Sequence, residues 1–417
     1  MPDTKIFELS NKLETIYKEI NGIGVVTVQI WVNTGLVNEN NKNNGISHII
    51  EHMVFNGTQK YKPNEIPIFI ESKGALINAG TSNDFTYYYI TLPSYQVEYA
   101  FDVLCEMIFR ALFLQEELEK EKPAVLQEIK RKYNNPIYEM SQHIDTNLFK
   151  KTPYAMQIIG NKKNVLSFTR ENLLTYYAHY YQPENMKLVI VGDLEYKKVQ
   201  EFSNRYFGNT VPYETDKNYK PILQQDLPKD ITKNFYKDIM QEYALIAFKA
   251  PHLIGDEKYV LDILTEILSG GEYGLLNDRL KDKLEIVTSI FGGYSGCKDA
   301  GSFMFYYTCL PENDKIIIKE ISLIIKSIKD GDINKEMLSR AKNRLASQIV
   351  FQREKCSSEA FDIGYSFTLG IKDYYIDYLE KINNVCIEDI ATLSSDIFNK
   401  HYILSRTLPK NCEGPKQ

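Results

Sequence analysis

The chain has 417 residues, of which 43% are hydrophobic and 25% charged, with a net charge of −6. Such a length exceeds one ordinary core and suits two domains of about 200 residues each. The acidic balance argues against a general nucleic-acid or membrane-surface binder. No stretch approaches the roughly 18 apolar residues of a membrane span, and the opening MPDTKIFELSNKLE lacks the apolar run of a secretory signal, so a cytoplasmic location is expected. Six widely spaced cysteines (Cys105, Cys297, Cys309, Cys356, Cys386 and Cys412), with no CxxC pair, read as reduced thiols rather than disulfides or zinc ligands.

Taken along the chain, Lys5–Leu9 and Gly24–Val32 read as strands, the second rich in β-branched and aromatic residues. Ile46, Ile49, Ile50, Met53 and Val54 then fall at helical spacing, and Asn56-Gly57 supplies a stop signal. A helical stretch near Glu65–Lys73 follows, then strands at Leu76–Thr81 and Thr86–Pro93, and helices through Gln96–Leu112 and Glu116–Tyr133. Pro123 is expected early in the last of these, since proline is tolerated in a first turn and kinks an interior. MKLVIVGD within Asn185–Asp193 is a buried strand, and the polar, proline-bearing stretch that follows sets a linker at 216–230. Beyond it the pattern restarts: strand Tyr243–Ala250, helix Lys258–Ser269, glycines, strands, and long helices to the end. The expectation is two similar α+β domains, at 1–215 and 231–417.

The stretch His48-Ile49-Ile50-Glu51-His52 carries the chemistry. At about 100° per residue, His48 and His52 differ by only about 40° around the helix, and Glu51 lies about 60° to the other side of His48. All three point one way from a helix apolar on most of its circumference, which is therefore expected to be buried. Two imidazoles and a carboxylate there are costly unless a cation compensates them, and paired histidines at i, i+4 suit Zn²⁺ with one position left open for water. The helix downstream offers two acids seven residues apart on one face, Glu121 and Glu128, as sources of a third ligand.

At these residues the chain resembles the inverted-motif zinc peptidases, the family of pitrilysin, insulin-degrading enzyme and the mitochondrial processing peptidase. The resemblance implies one zinc per chain held by His48, His52 and Glu128, Glu51 as general base, and Glu121 orienting a ligand. Asn78-Ala79-Gly80-Thr81 is similar to the family's edge strand, which takes the substrate peptide as an added strand. The implied fold is half of a clam-shell, which needs either a fused second half or a second chain; at this length the chain supplies one half, and dimerisation is implied. Where the family commonly has an Arg and, seven residues on, a Tyr that reach the substrate carbonyl, this sequence has Lys281 and Thr288. Lysine lacks the planar fork and threonine the reach of a phenol. That departure implies a heterodimer with a related subunit lacking the zinc motif, rather than a homodimer. The implied activity is metalloendopeptidase; its rivals are a non-catalytic assembly subunit of the same fold and a peptidase restricted to leader peptides or presequences. His143, His179, His252 and His401 match no motif and are read as structural.

Overall fold

A computed structural model of the chain describes residues 4–210 and 221–412. Six strands build the first sheet: β1 (Thr4–Glu8), β2 (Glu14–Glu19), β3 (Val25–Val32), β4 (Leu76–Thr81), β5 (Thr86–Pro93) and β6 (Met186–Gly192), in the order β1-β2-β6-β3-β5-β4. Five build the second: β7 (Ile231–Lys237), β8 (Glu242–Lys249), β9 (Ser289–Gly296), β10 (Gly301–Cys309) and β11 (Tyr402–Pro409), in the order β7-β11-β8-β10-β9. Every pairing is antiparallel except β2 with β6 and β7 with β11. Set β1 aside and the two orders coincide strand for strand, parallel pair included. The chain is thus two mixed-sheet α+β domains of one kind, as its repeating element order suggests.

The compact units are not contiguous in sequence. The first takes residues up to Lys130, then those from Met156 to the segment 211–220, and Val350–Ile376; the second takes Arg131–Ala155, residues 221 to Ile349, and Asp377 onward. The expected linker at 216–230 lies partly outside the described residues, and 221–230 carries neither helix nor strand.

In the first unit, Val26, Val28, Ile30 and Val32 of β3 enter the main core with the helices Ile46–Met53 and Glu98–Phe109. The alternate residues Gln29 and Trp31 meet the late helix Cys356–Leu369, which crosses β3 and β6 on the opposite face. Coverage on both faces explains why VVTVQIWV is apolar almost throughout. Strand β5 alternates instead: Thr86, Tyr88, Ile90 and Leu92 are buried, while Tyr87, Tyr89 and Thr91 are half-buried on a face the crossing helix only partly covers. Glu359 anchors that helix. Fully buried, it pairs with Lys18 of β2, accepts from the Tyr375 hydroxyl, and lies 3.4 Å from Arg353 Nε. In the second unit the helix Tyr138–Leu148 plays the equivalent part, packing on β7, β8 and β11.

Strands β2, β7 and β11 escape the sequence reading, and β11 ends a region expected to be helical. β7 exposes three of its seven residues, so its alternation is weak; β11 gains its identity only by pairing with β7 and β8.

The contact between crossing helix and sheet leaves no slack at Gly364. A Cβ there would lie 2.1 Å from Trp31 Nε1, inside a ring that is fully buried and donates to Gln29 Oε1 at 2.7 Å. Alanine in a helix interior normally gains about 0.5–1 kcal/mol over glycine, but overpacking of this kind costs about 1–3 kcal/mol. Gly364→Ala is therefore expected to lower unfolding stability by about 1–2 kcal/mol in urea denaturation; an unchanged or raised midpoint would show that the ring yields.

Candidate metal centre

The motif helix, Ile46–Met53, is two turns long. Ile46, Ile49, Ile50 and Met53 anchor it in the core, and Glu51 and His52 are left half-buried on its remaining face. Its N-cap, Gly45, sits at φ 97° and offers no side-chain cap. A Cβ there would lie 2.8 Å from Gly160 Cα, so glycine is required by both conformation and space. The missing cap comes from Glu39, whose carboxylate accepts from Gly45 N at 2.7 Å, Ser47 N at 2.9 Å and Asn44 Nδ2 at 3.0 Å. A negative charge at this end also complements the helix dipole. Burial pushes the Glu39 carboxyl up to about 7, against the pull of its three donors.

The helix Gln115–Asn134 brings the second set of groups. Pro123 is its ninth residue, so Glu121 stands inside the helix rather than in its first turn. The helix nonetheless runs on, and Glu121 and Glu128 share a face two turns apart. Glu121 Oε2 lies 3.2 Å from His52 Nδ1, while its Oε1 accepts from Asn56 Nδ2 at 2.8 Å. The His52 hydrogen bond, aided by Asn56 and opposed by burial, holds Glu121 below the usual carboxylate range. Burial works to lower the His52 pKa, but the Glu121 hydrogen bond and the charges of Glu51, Glu121 and Glu128 outweigh it and leave the pKa raised. Because a carboxylate only accepts, Nδ1 must carry the proton, which leaves the Nε2 lone pair available when the ring is neutral.

Those lone pairs converge. His48 Nε2 is 3.6 Å and His52 Nε2 3.9 Å from Glu128 Oε2, and the ligand atoms of the three residues lie within 4.8 Å of one another. At zinc–ligand distances of about 2.0–2.2 Å, tetrahedral ligand atoms stand roughly 3.4 Å apart. The two distances to Glu128 are a few tenths wider and exceed hydrogen-bond reach, while the widest spread among the three ligand atoms, 4.8 Å, would have to draw in by about 1.4 Å around an ion. Two imidazoles and one carboxylate are a zinc-type donor set, so His48, His52 and Glu128 could hold this ion. Among the described residues this is the group of three such side chains placed to do so.

Glu51 points to the sheet. The Thr81 hydroxyl, at the end of β4, donates to Glu51 Oε2 at 2.5 Å. Asn78, Ala79, Gly80 and Thr81 all lie on β4, which pairs with β5 and has no strand on its other side among the described residues. Lys281 and Thr288 belong to the second unit: Lys281 is exposed in a π-helical turn, Asn277–Lys283, and Thr288 Oγ1 accepts from Gln241 Nε2 at 3.0 Å. Of the other histidines, His143 bonds Ser405 and His401 bonds Asp230.

Two contributors are invisible to motif reading. Glu39 is a single acid in an Asn-rich stretch, and nothing local distinguishes it from a solvated loop charge. Asn56 reads as a helix stop, yet its amide also bridges the His52 carbonyl and Glu121.

With the geometry in hand, comparisons define the class. Residues 15–162 match the family profile described as Insulinase (Peptidase family M16), and residues 167–345 match Peptidase M16 inactive domain. The chain belongs to the M16 family of zinc proteases. It is 26% identical over 400 residues to an uncharacterized zinc protease of Rickettsia felis, covering 94% of this chain and 95% of that one. It is 25% identical to a probable mitochondrial-processing peptidase subunit beta of Arabidopsis thaliana, covering 100% of this chain and 79% of the relative. A protease from Helicobacter pylori superposes with a TM-score of 0.92 at 21% identity, over 98% of this chain and 100% of the other.

Glu39 yields a pH prediction. Its folded pKa, about 7, is above the ordinary 4.5, so the folded state holds the proton more tightly. The stability tied to this group is fully present below about pH 4.5 and is lost as pH rises through about 7. Relative to Glu39→Gln, the wild-type chain should therefore lose unfolding free energy between pH 5 and pH 8, as read from urea melts across that window. Parallel curves for the two proteins would refute the assignment.

Proposed function

We propose that this chain is the zinc-bearing subunit of an endopeptidase that hydrolyses extended peptides, with Glu51 as general base. One observation carries the reading: the ligand atoms of His48, His52 and Glu128 converge within 4.8 Å, and Glu51, on the same helix, is tied to the open edge strand through Thr81. When bound at such a site, zinc supplies Lewis acidity, polarising the scissile carbonyl and making water a nucleophile near neutral pH.

The chain's own groups do the rest. The edge of β4 offers unpaired main-chain donors and acceptors to a peptide, which fixes it in extended form with few side-chain demands. Glu51 takes a proton from the attacking water and delivers it to the leaving amine. Thr81 holds the base to the strand that binds the peptide, so base and scissile bond share one frame of reference. Glu121 fixes the His52 tautomer and ring orientation.

A half-sized chamber wall calls for a second half, whether fused or on a second chain. Lys281 and Thr288 stand where the family commonly has Arg and Tyr, and the Arabidopsis relative is by name a subunit beta. Both facts favour a heterodimer whose partner lacks the zinc motif and supplies the groups that contact the substrate carbonyl. No helix of the described residues is long and apolar enough to cross a membrane. The six cysteines stand unbridged, which favours a reducing compartment, the cytoplasm.

Glu51→Gln should leave zinc bound at one per chain and lower turnover at least a hundredfold, the lower range of general-base effects. His52→Ala should lose both metal and turnover. Zinc content by atomic absorption and cleavage of an internally quenched peptide read the two arms. Near-parental hydrolysis by the Gln variant would overturn the mechanism, and full turnover by a homodimer would overturn the heterodimer.

A further inference from the structure

Past Met53, the last residue of the motif helix, the chain turns at Asn56, whose side chain is buried. Its amide faces two acceptors: Nδ2 is 2.8 Å from Glu121 Oε1 and 3.3 Å from the His52 carbonyl oxygen. An amide oxygen in that place would meet a carboxylate and a carbonyl with no hydrogen between them, so the nitrogen must point this way, and its hydrogens suffice for both acceptors. The turn does not itself call for asparagine. Its left-handed position is Gly57, at φ 105°.

The two contacts differ in weight. The His52 carbonyl also accepts from Phe55 N at 3.3 Å, so it keeps a partner without Asn56. The Glu121 contact is short and made to a charged acceptor, the stronger kind of hydrogen bond. It also uses the oxygen that His52 leaves over: Glu121 Oε2 lies 3.2 Å from His52 Nδ1, so the carboxylate is held at both ends. Held by the ring alone, a long and flexible glutamate could swing with it. Held from Asn56 as well, it is tied to the main chain that carries the ring. Imidazole, carboxylate, amide and the backbone from His52 to Asn56 close a loop, and the loop sets the direction of His52 Nε2, which stands 3.9 Å from Glu128 Oε2.

We propose that Asn56 is a positioning residue for the metal: it clips Glu121 in place, and Glu121 in turn keeps the His52 ring with Nε2 toward the ion. The proposal rests on the metal assignment above and adds a residue whose effect passes through Glu121, separate from any part it plays in ending the helix.

The test is a double-mutant cycle in the full-length chain, with zinc dissociation constants read by competition against a chromogenic chelator. Asn56→Ala should weaken zinc binding about tenfold, the lower end of the range for groups that support a ligand from behind. Glu121→Ala should weaken it at least as much. Adding Asn56→Ala to Glu121→Ala should then change the constant by less than about twofold, because the clip has nothing left to hold. A damaged helix end or partial misfolding would instead weaken binding by the same factor in both backgrounds. A second readout needs no zinc: in long-range proton–nitrogen spectra of the metal-free, isotope-labelled chain at about pH 9, where imidazole is neutral, His52 should be a single Nδ1–H tautomer in the parent and a mixture in Asn56→Ala. A zinc constant unmoved by Asn56→Ala, equal weakening in both backgrounds, or an unmixed tautomer in the variant overturns the proposal. A parent chain that binds no zinc, yet loses its single tautomer with Asn56→Ala, sinks the metal assignment and keeps the clip; a parent that binds zinc with a constant indifferent to Asn56→Ala does the reverse.

Discussion

Two turns of helix are too few to persist in water, where stretches shorter than about 12 residues are marginal even in favourable sequences. His48, Glu51 and His52 nevertheless all ride on one such helix, so its placement must come from outside. Glu39 secures the first turn from six residues before Gly45. Asn56 secures the last, bonding the His52 carbonyl and reaching Glu121 with the same amide. Between the two ends, four apolar side chains sink into the core. The separations between the His48 and His52 Nε2 atoms and Glu128 depend on this clamp, because a small rotation of the helix would move the imidazoles away from the acid.

Charge is the second constraint. Glu51, Glu121 and Glu128 gather around two imidazoles, a concentration of acidic groups that a divalent cation would offset. The second unit shows how the same fold treats buried acids without a metal. There Arg406 lies 2.8 Å from Asp314 and 3.3 Å from Glu242, and the Tyr307 hydroxyl donates to Asp314. Burial and the neighbouring Asp314 push the Glu242 carboxyl up, against the pull of Arg406. One unit neutralises its acids internally, whereas the other holds a donor set suited to an ion. The division agrees with the matched profile for residues 167–345, described as an inactive domain.

What the sequence discloses follows the range over which each feature is determined. His48, Glu51 and His52 are legible because helical spacing is local; spacing also places Glu121 and Glu128 on one helix face, but only the family resemblance singles out Glu128 as a ligand. The strand β3 is legible from its unbroken apolar run, and the repeated element order from its restart after the linker. Glu39 and Asn56 are not, since each gains its meaning from a neighbour that the chain brings in by folding. Pro123 illustrates the same limit in reverse: read as an early helix residue, it lies in the interior, yet neighbouring contacts carry the helix past it and Glu121 still meets His52. Lys281 and Thr288 are legible only as departures from a pattern; in the structure Lys281 is exposed and Thr288 accepts from Gln241.

The exchange of segments has a consequence for biogenesis. The sheet on which the motif helix packs is complete once β6 has been made, but its second face stays bare until the ribosome has added Cys356–Leu369. Until then Trp31 and Tyr87 lack their later neighbour Phe361, Phe85 lacks Tyr365, and Glu359 is not yet there to meet Lys18. Long-range contacts of this kind fold slowly and leave apolar surface exposed to aggregation. Translation of the motif and assembly of its domain are therefore separated by some three hundred residues of growing chain, an interval in which holdase chaperones have an obvious client.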